Sequence, residues 1–288
     1  MPNLLLRRRV AAPAAVAFAF WITMVGTTAP TPLYPLYGDD FGFSPFTVTV
    51  VFAVYALGVV AGLLLFGRLA DQIGRRPTLV AATLLSAVAA GVFLVTPNVG
   101  LLLVARVLSG LSAALVTGAA TAALTETITP DARVRPATVA LVANMGGLAC
   151  GALAAGVLAD LAPAPLRTPW AVIGSLAVLG LLGVAAVPET AGHRSGFTPR
   201  LQPLHVPGEI RADFLRAAMA AGAGFAVLGV LTAVTGLFLG TVLHHDSRAL
   251  TGLMVGLAFA CTAVGQVLTR VLRPAVALPG ACAGLVVG

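Results

Sequence analysis

Long apolar runs, separated by short polar gaps that carry arginine, organise this chain from end to end. A membrane-spanning helix needs roughly 20 consecutive apolar residues. Runs of that length fall at 12–36, 46–66, 77–96, 100–124, 136–159, 168–187, 214–243 and 249–272. A ninth run, 275–288, has 14 residues. At a helical rise of 1.5 Å it extends about 21 Å, short of a roughly 30 Å hydrocarbon core, so it reads as a helix cut short. Residues 188–213 form a polar, Pro- and Gly-bearing stretch after the sixth run. That stretch divides the chain into 1–187, with six helices, a linker at 188–213, and 214–288, with two helices and part of a third.

Composition places these runs in a lipid bilayer. The 288 residues are 59% hydrophobic and 9% charged, with a mean hydropathy of +1.00. Soluble domains are nearer 45–50% apolar and about 25% charged. The 32 glycines and 19 prolines do not exclude helices, because neighbouring helices satisfy freed backbone groups in lipid and small residues allow close packing. Arg7, Arg8 and Arg9 ahead of the first run imitate the charged start of a signal peptide. The run continues to about Tyr34, too long for one, so a retained first helix is expected.

A net charge of +7 could suggest nucleic acid, but all 17 basic residues are arginine and all except Arg106 lie in the gaps, with no basic helix face. They report topology instead. With a cytoplasmic N-terminus, the inner side holds Arg7, Arg8, Arg9, Arg68, Arg75, Arg76, Arg133, Arg135, Arg194, Arg200, Arg211, Arg216, Arg270 and Arg273; the outer side holds Arg167 and Arg248. A multi-pass inner or plasma membrane protein is expected, with no nucleic-acid partner.

The second gap reads Gly67-Arg68-Leu69-Ala70-Asp71-Gln72-Ile73-Gly74-Arg75-Arg76-Pro77. Here Gly67 would let two helices approach and Gly74 would permit a tight reversal. Asp71 can accept from Arg75 or from a neighbouring helix N-terminus. This loop resembles, at every defined position, the signature Gly-x-Leu-Ala-Asp-x-x-Gly-Arg-Arg/Lys of the major facilitator superfamily (MFS), and it falls where that family carries it. Three further segments are similar in order and place. Gly26-x5-Pro32-x-x-Pro35 in helix one resembles a drug-antiporter pattern, whose prolines would break the helix and shape an entrance. Arg106-x-x-Ser109-Gly110 in helix four resembles Arg-x-x-Gln-Gly. Gly147-x3-Gly151-Ala152-x-x-Ala155-Gly156 in helix five resembles the antiporter motif Gly-x3-Gly-Pro-x-x-Gly-Gly, with Ala152 in place of proline. Small residues at that spacing also suit any close helix crossing. Shifting by 198 residues places Gly67 on Gly265 and Arg75 on Arg273, with Thr269 at the Asp71 position.

The resemblance implies an all-α membrane protein, an MFS-type helical bundle with a six-helix N-terminal half and an incomplete C-terminal half. It implies alternating access by rocking of two halves around a midplane site, with Asp71, Arg75, Arg76 and Glu126 as a conformational latch. A cation inside a span costs about 2.5–3.5 kcal/mol on insertion scales and marks a functional position. Arg106 is that residue, and the resemblance implies a part in proton or substrate coupling. Asp39 and Asp40, just beyond helix one, are candidates to reach it. Thr27, Thr28, Tyr55, Asn144 and Gln266 are polar positions suited to a cavity.

Cys150, Cys261 and Cys282 lie in apolar runs without metal-ligand spacing and read as buried small residues. His244-His245-Asp246 lacks further ligands. No nucleophile elbow, phosphate loop or dinucleotide fingerprint is present, so neither an enzyme nor a bound cofactor or metal is expected. The reading is a proton-coupled, efflux-type antiporter of a small hydrophobic or cationic substrate, of the multidrug-resistance kind, with the proton gradient as energy source. The alternatives are a sugar or metabolite symporter or facilitator of the same family, and a non-transporting truncated fragment.

Overall fold

A computed structural model of the protein describes residues 2–42, 44–129, 132, 134–190, 206–268 and 280. The described residues contain ten α-helices: α1 (Pro2–Thr28), α2 (Tyr34–Phe41), α3 (Pro45–Phe66), α4 (Leu69–Ile73), α5 (Arg75–Val95), α6 (Val99–Thr127), α7 (Pro136–Leu161), α8 (Thr168–Ala185), α9 (Arg211–Thr241) and α10 (Arg248–Leu268). Eight candidate membrane spans result, since α1 and α2 form one and α4 is a single short turn. Six precede residues 191–205 and two follow. The expected linker falls largely in 191–205, and the ninth run at 275–288; both lie outside the described residues but for Gly280.

Proline decides how the first span is built. Pro30, Pro32 and Pro35 have no N–H to continue an α-helix, so α1 stops at Thr28 and a 3₁₀ turn, Thr31–Leu33, leads into α2. Pro32 is buried in that turn, and Pro35 packs toward α9 near Gly236. The expected entrance at this motif is therefore a packed joint, closed by its neighbours.

In lipid, helices associate through close packing and hydrogen bonds rather than through a hydrophobic driving force. The central helix shows this: α6 buries 56% of its apolar window, against 11% for α9. Alanine lines α6 at Ala113, Ala114, Ala119, Ala120 and Ala123, all buried. A Cβ on Gly58 of α3 would stand 2.9 Å from the Val107 carbonyl oxygen, so α3 and α6 meet backbone to backbone. Gly67, expected to serve such an approach, instead caps the exposed end of α3; Gly58 and Gly62 do that work.

The core has two layers. One, towards the Gly67–Arg76 loop, gathers Val16, Phe20, Leu79, Val116, Leu124 and Val184. The other, at the opposite end, gathers Ile22, Tyr37, Phe93, Leu102, Trp170 and Ile173. There Trp170 stacks on Phe93 at 4.0 Å between centroids and donates to the Tyr37 hydroxyl at 2.8 Å. Helix α10 docks on α7 along a seam of Ala149, Ala152, Gly156, Gly252 and Gly256. Large apolar residues such as Leu57, Leu179, Leu182 and Val264 are exposed around the bundle, as a lipid-facing surface requires. Cys150 and Cys261 are exposed too, rather than buried, because they lie on outward faces of α7 and α10.

Candidate functional site

Three polar assemblies stand out from this apolar scaffold. The first surrounds the signature loop. Asp71 and Arg75 are one helical turn apart, and the Arg75 guanidinium bonds the Asp71 carboxylate. The same guanidinium reaches Glu126, at the far end of α6, at 3.1 Å. Glu126 also accepts from the Thr190 hydroxyl at 2.6 Å. The structure thus brings Asp71, Arg75 and Glu126 together.

The sequence reading missed Glu189. A neighbouring carboxylate does cap the N-terminus of α5, but it is not Asp71. Glu189 accepts from the backbone N–H of Arg75 at 2.8 Å and of Arg76 at 3.0 Å. In return, the Arg76 side chain donates to the Ala185 carbonyl at the end of α8. Each charge sits at the helix end whose dipole it complements, and the pair couples α5 to α8. The available signal was that Glu189 follows a span on the same side of the bundle as Gly74; which helix end it meets depends on tertiary packing.

Gly74 makes this cap possible. Its φ of 110° and ψ of 161° belong to a region held essentially by glycine, and a Cβ there would lie 2.6 Å from a Glu189 carboxylate oxygen. Gly74→Ala is expected to lower stability by about 1–3 kcal/mol. A thermal melt of the detergent-solubilised protein that did not move would contradict that conformational demand.

The second assembly is centred on Arg106, which is 1% exposed. It donates to the Thr27 carbonyl at 2.7 Å, one of the last four carbonyls of α1, which lack intrahelical donors. It also bonds the Tyr34 hydroxyl. The guanidinium carbon lies 5.5, 5.3 and 5.2 Å from the ring centroids of Tyr34, Phe52 and Tyr55, within the range of cation–π attraction. The break in the first span supplies both the free carbonyl and the returning tyrosine. Asp39 and Asp40 are exposed, and none of the ion pairs among the described residues includes Arg106.

Beside this cage lies a cavity of about 260 Å³. Thr27 and Thr28 of α1, Phe52, Tyr55 and Ala56 of α3, and Leu148 of α7 line one side; Phe225, Leu228, Gly229 and Thr232 of α9 and Phe259 of α10 line the other. Tyr55 therefore faces both the cavity and Arg106. Asn144 is half-buried on α7 and outside this lining, and Gln266 lies on an exposed part of α10.

The third assembly closes the opposite end. Asp160, at the end of α7, accepts from the backbone N–H groups of Arg248 and Ala249 at 3.1 and 2.9 Å and from the Ser247 hydroxyl at 3.0 Å. Ser247 in turn accepts from the Leu250 N–H at 3.2 Å. Below this cap, Gly156 meets the Arg248 carbonyl, while Gly147 and Gly151 meet the Trp21 and Val25 carbonyls of α1. All three glycines of the helix-five motif thus sit at close crossings.

These features define a polytopic α-helical membrane protein built around a cavity between its helices. The chain belongs to the Major Facilitator Superfamily, whose profile matches residues 16–288; that family consists of transporters, not enzymes. Over 129 residues, 45% of this chain, it is 29% identical to the inner membrane transport protein YnfM of Escherichia coli (strain K12), covering 31% of that protein. Over 95 residues, 33% of this chain, it is 33% identical to the arabinose-proton symporter of Bacillus subtilis (strain 168), covering 20% of that one. The chain thus spans less than a third of either relative in these matches. The crystal structure of the human organic anion transporter MFSD10 (TETRAN) shares the fold, with a TM-score of 0.58 and 18% identity over 90% of this chain and 71% of that one.

Proposed function

We propose that this chain belongs to a secondary transporter that moves a small molecule across the inner or plasma membrane, with proton exchange driving efflux. The observation that carries the reading is the caged Arg106 directly behind the wall of a cavity formed by helices from both sides of the linker. A charge held at intramembrane depth by neutral partners is costly and earns its place through function. Residues 1–187 and 214–288 act as the two bodies that rock about this cavity. A cytoplasmic N-terminus is part of this reading, supported by the bias of arginine towards the gaps on one side. The Asp71–Arg75–Glu126 cluster then lies on the inner side and latches one conformation.

Inverted vesicles carrying the protein test the coupling. With an imposed pH gradient and a panel of small amphiphiles, an antiporter collapses the gradient when its substrate is added. A second reading, symport of a sugar or other metabolite, is favoured by Ala152, which replaces the proline of the antiporter motif, and by the similarity to the arabinose-proton symporter. Arabinose-driven proton movement in the direction of the sugar would select it. No proton movement with any compound would sink both.

Asp71→Asn removes one of the two carboxylates held by Arg75. Exposed pairs contribute only about 0–1 kcal/mol to stability, so insertion and melting should be nearly unchanged while transport is impaired. Unaltered transport rates in that variant would count against the latch.

A further inference from the structure

We infer that the cavity between α1, α3, α7, α9 and α10 takes an amphipathic organic anion: a compact apolar body bearing one carboxylate-like head drawn towards Arg106. The inference rests on the transport reading for why a ligand enters, and it adds the ligand's charge, opposite to the cationic class that the drug-antiporter resemblance implies.

The charge balance carries it. Arg106 is buried, and its polar partners among the described residues are a carbonyl and a phenol, both neutral. The Nε–H has no hydrogen-bond partner among the described residues, although buried polar groups are nearly always satisfied. A guanidinium carries a fixed positive charge, and its three ring faces lower the cost of burial without cancelling that charge. Two of the rings, Phe52 and Tyr55, are themselves cavity wall, and their centroids stand 5.3 and 5.2 Å from the guanidinium carbon. The cavity is thus one ring removed from an uncompensated cation.

The rest of the wall selects the body. Phe52, Phe225, Leu228 and Phe259 present an apolar surface. The hydroxyls of Thr27, Thr28 and Thr232 donate to the carbonyls of Met24, Leu148 and Leu228. Their protons are therefore engaged, while the Arg106 Nε–H, behind the Phe52 and Tyr55 rings, has no partner among the described residues. A volume of about 260 Å³ falls at the small end of ligand cavities, roughly 300–1,000 Å³, and suits a single ring with a short chain. For charges about 10 Å apart at an effective dielectric of about 20, the Coulomb energy corresponds to roughly a tenfold preference for an anion over its neutral isostere, with a cation weaker still.

The test is equilibrium binding to the purified full chain in phosphatidylcholine nanodiscs at neutral pH, corrected for partition into empty discs. Three probes share one body: 4-phenylbutyrate, 4-phenylbutanol and 4-phenylbutylamine. The expected order is anion, neutral, cation, with about tenfold between the first two. In Arg106→Gln the anion and the neutral probe should bind with equal affinity, whereas Arg106→Lys should keep the order. A side chain at Gly229 meets open space, with nothing within 4 Å of its Cβ, so Gly229→Phe should fill the cavity and abolish binding of the anion. Equal affinity for the three probes, a preference for the amine, or no binding of the butyrate overturns the inference, and the order in the unsubstituted chain decides this even if a variant fails to fold. Because no gradient is present, that outcome leaves the transport reading standing. Conversely, vesicles without proton movement would sink transport and leave the binding order intact.

Discussion

Gly252→Leu is expected to destabilise the α7–α10 seam strongly. A Cβ at position 252 would drive into the Ala152 carbonyl and come within 3.0 Å of the Leu153 Cα. These are backbone atoms and cannot swing aside as a side-chain tip can. Overpacking of this kind costs about 1–3 kcal/mol and occasionally more, and a clash with backbone belongs at the upper end. The Asp160 cap would be strained as well, because separating the helices pulls the Arg248 and Ala249 N–H groups from that carboxylate. Melting followed by size exclusion in detergent should show a marked drop in midpoint. Gly91→Ala is the matched control, since a Cβ there meets nothing within 4 Å. Its better helix propensity should raise stability by up to about 1 kcal/mol. Equal melting of the two variants would mean that the seam is not closely packed.

Arg106→Ala is expected to abolish coupled transport while leaving insertion intact. The substitution removes an intramembrane charge, which by itself eases insertion. It also strands the Thr27 carbonyl and the Tyr34 hydroxyl and leaves a void between Tyr34, Phe52 and Tyr55. The joint at Thr28–Tyr34 then loses the side chain that ties its two pieces. Proton movement driven by substrate in vesicles should fall to background at normal levels of membrane-inserted protein. Normal movement in that variant would take Arg106 out of the mechanism.

What could be read from the chain alone follows from the range of each interaction. Spans were legible because roughly 20 apolar residues are needed wherever a helix crosses lipid, and α3, α5, α6, α7 and α8 end within a few residues of the apolar runs. The break in the first span was legible too, since proline removes a donor whatever surrounds it. Arg106 was legible as an anomaly. Its partners were not, because Tyr34 and Phe52 are ordinary aromatics until the 3₁₀ turn folds one back and the close α3–α6 contact presents the other. Glu189 and Asp160 were opaque for the same reason. Each is a span-end acid whose meaning depends on which helix begins beside it. Gly67 misled because its neighbours in sequence suggest a crossing that Gly62 and Gly58 make about one and a half and two and a half turns earlier.

The jointed first span also has a mechanical meaning. Helix α2 is a short arm that follows the Thr31–Leu33 turn, and its first turn is held twice, by Tyr34 on Arg106 and by the Tyr37–Trp170 bond. Tilting that arm by a few degrees shifts the phenol at the guanidinium while the long shaft of α1 stays still. A displacement at the rim of the bundle would reach its buried cation through one hydroxyl, along a path that an unbroken rod could not provide.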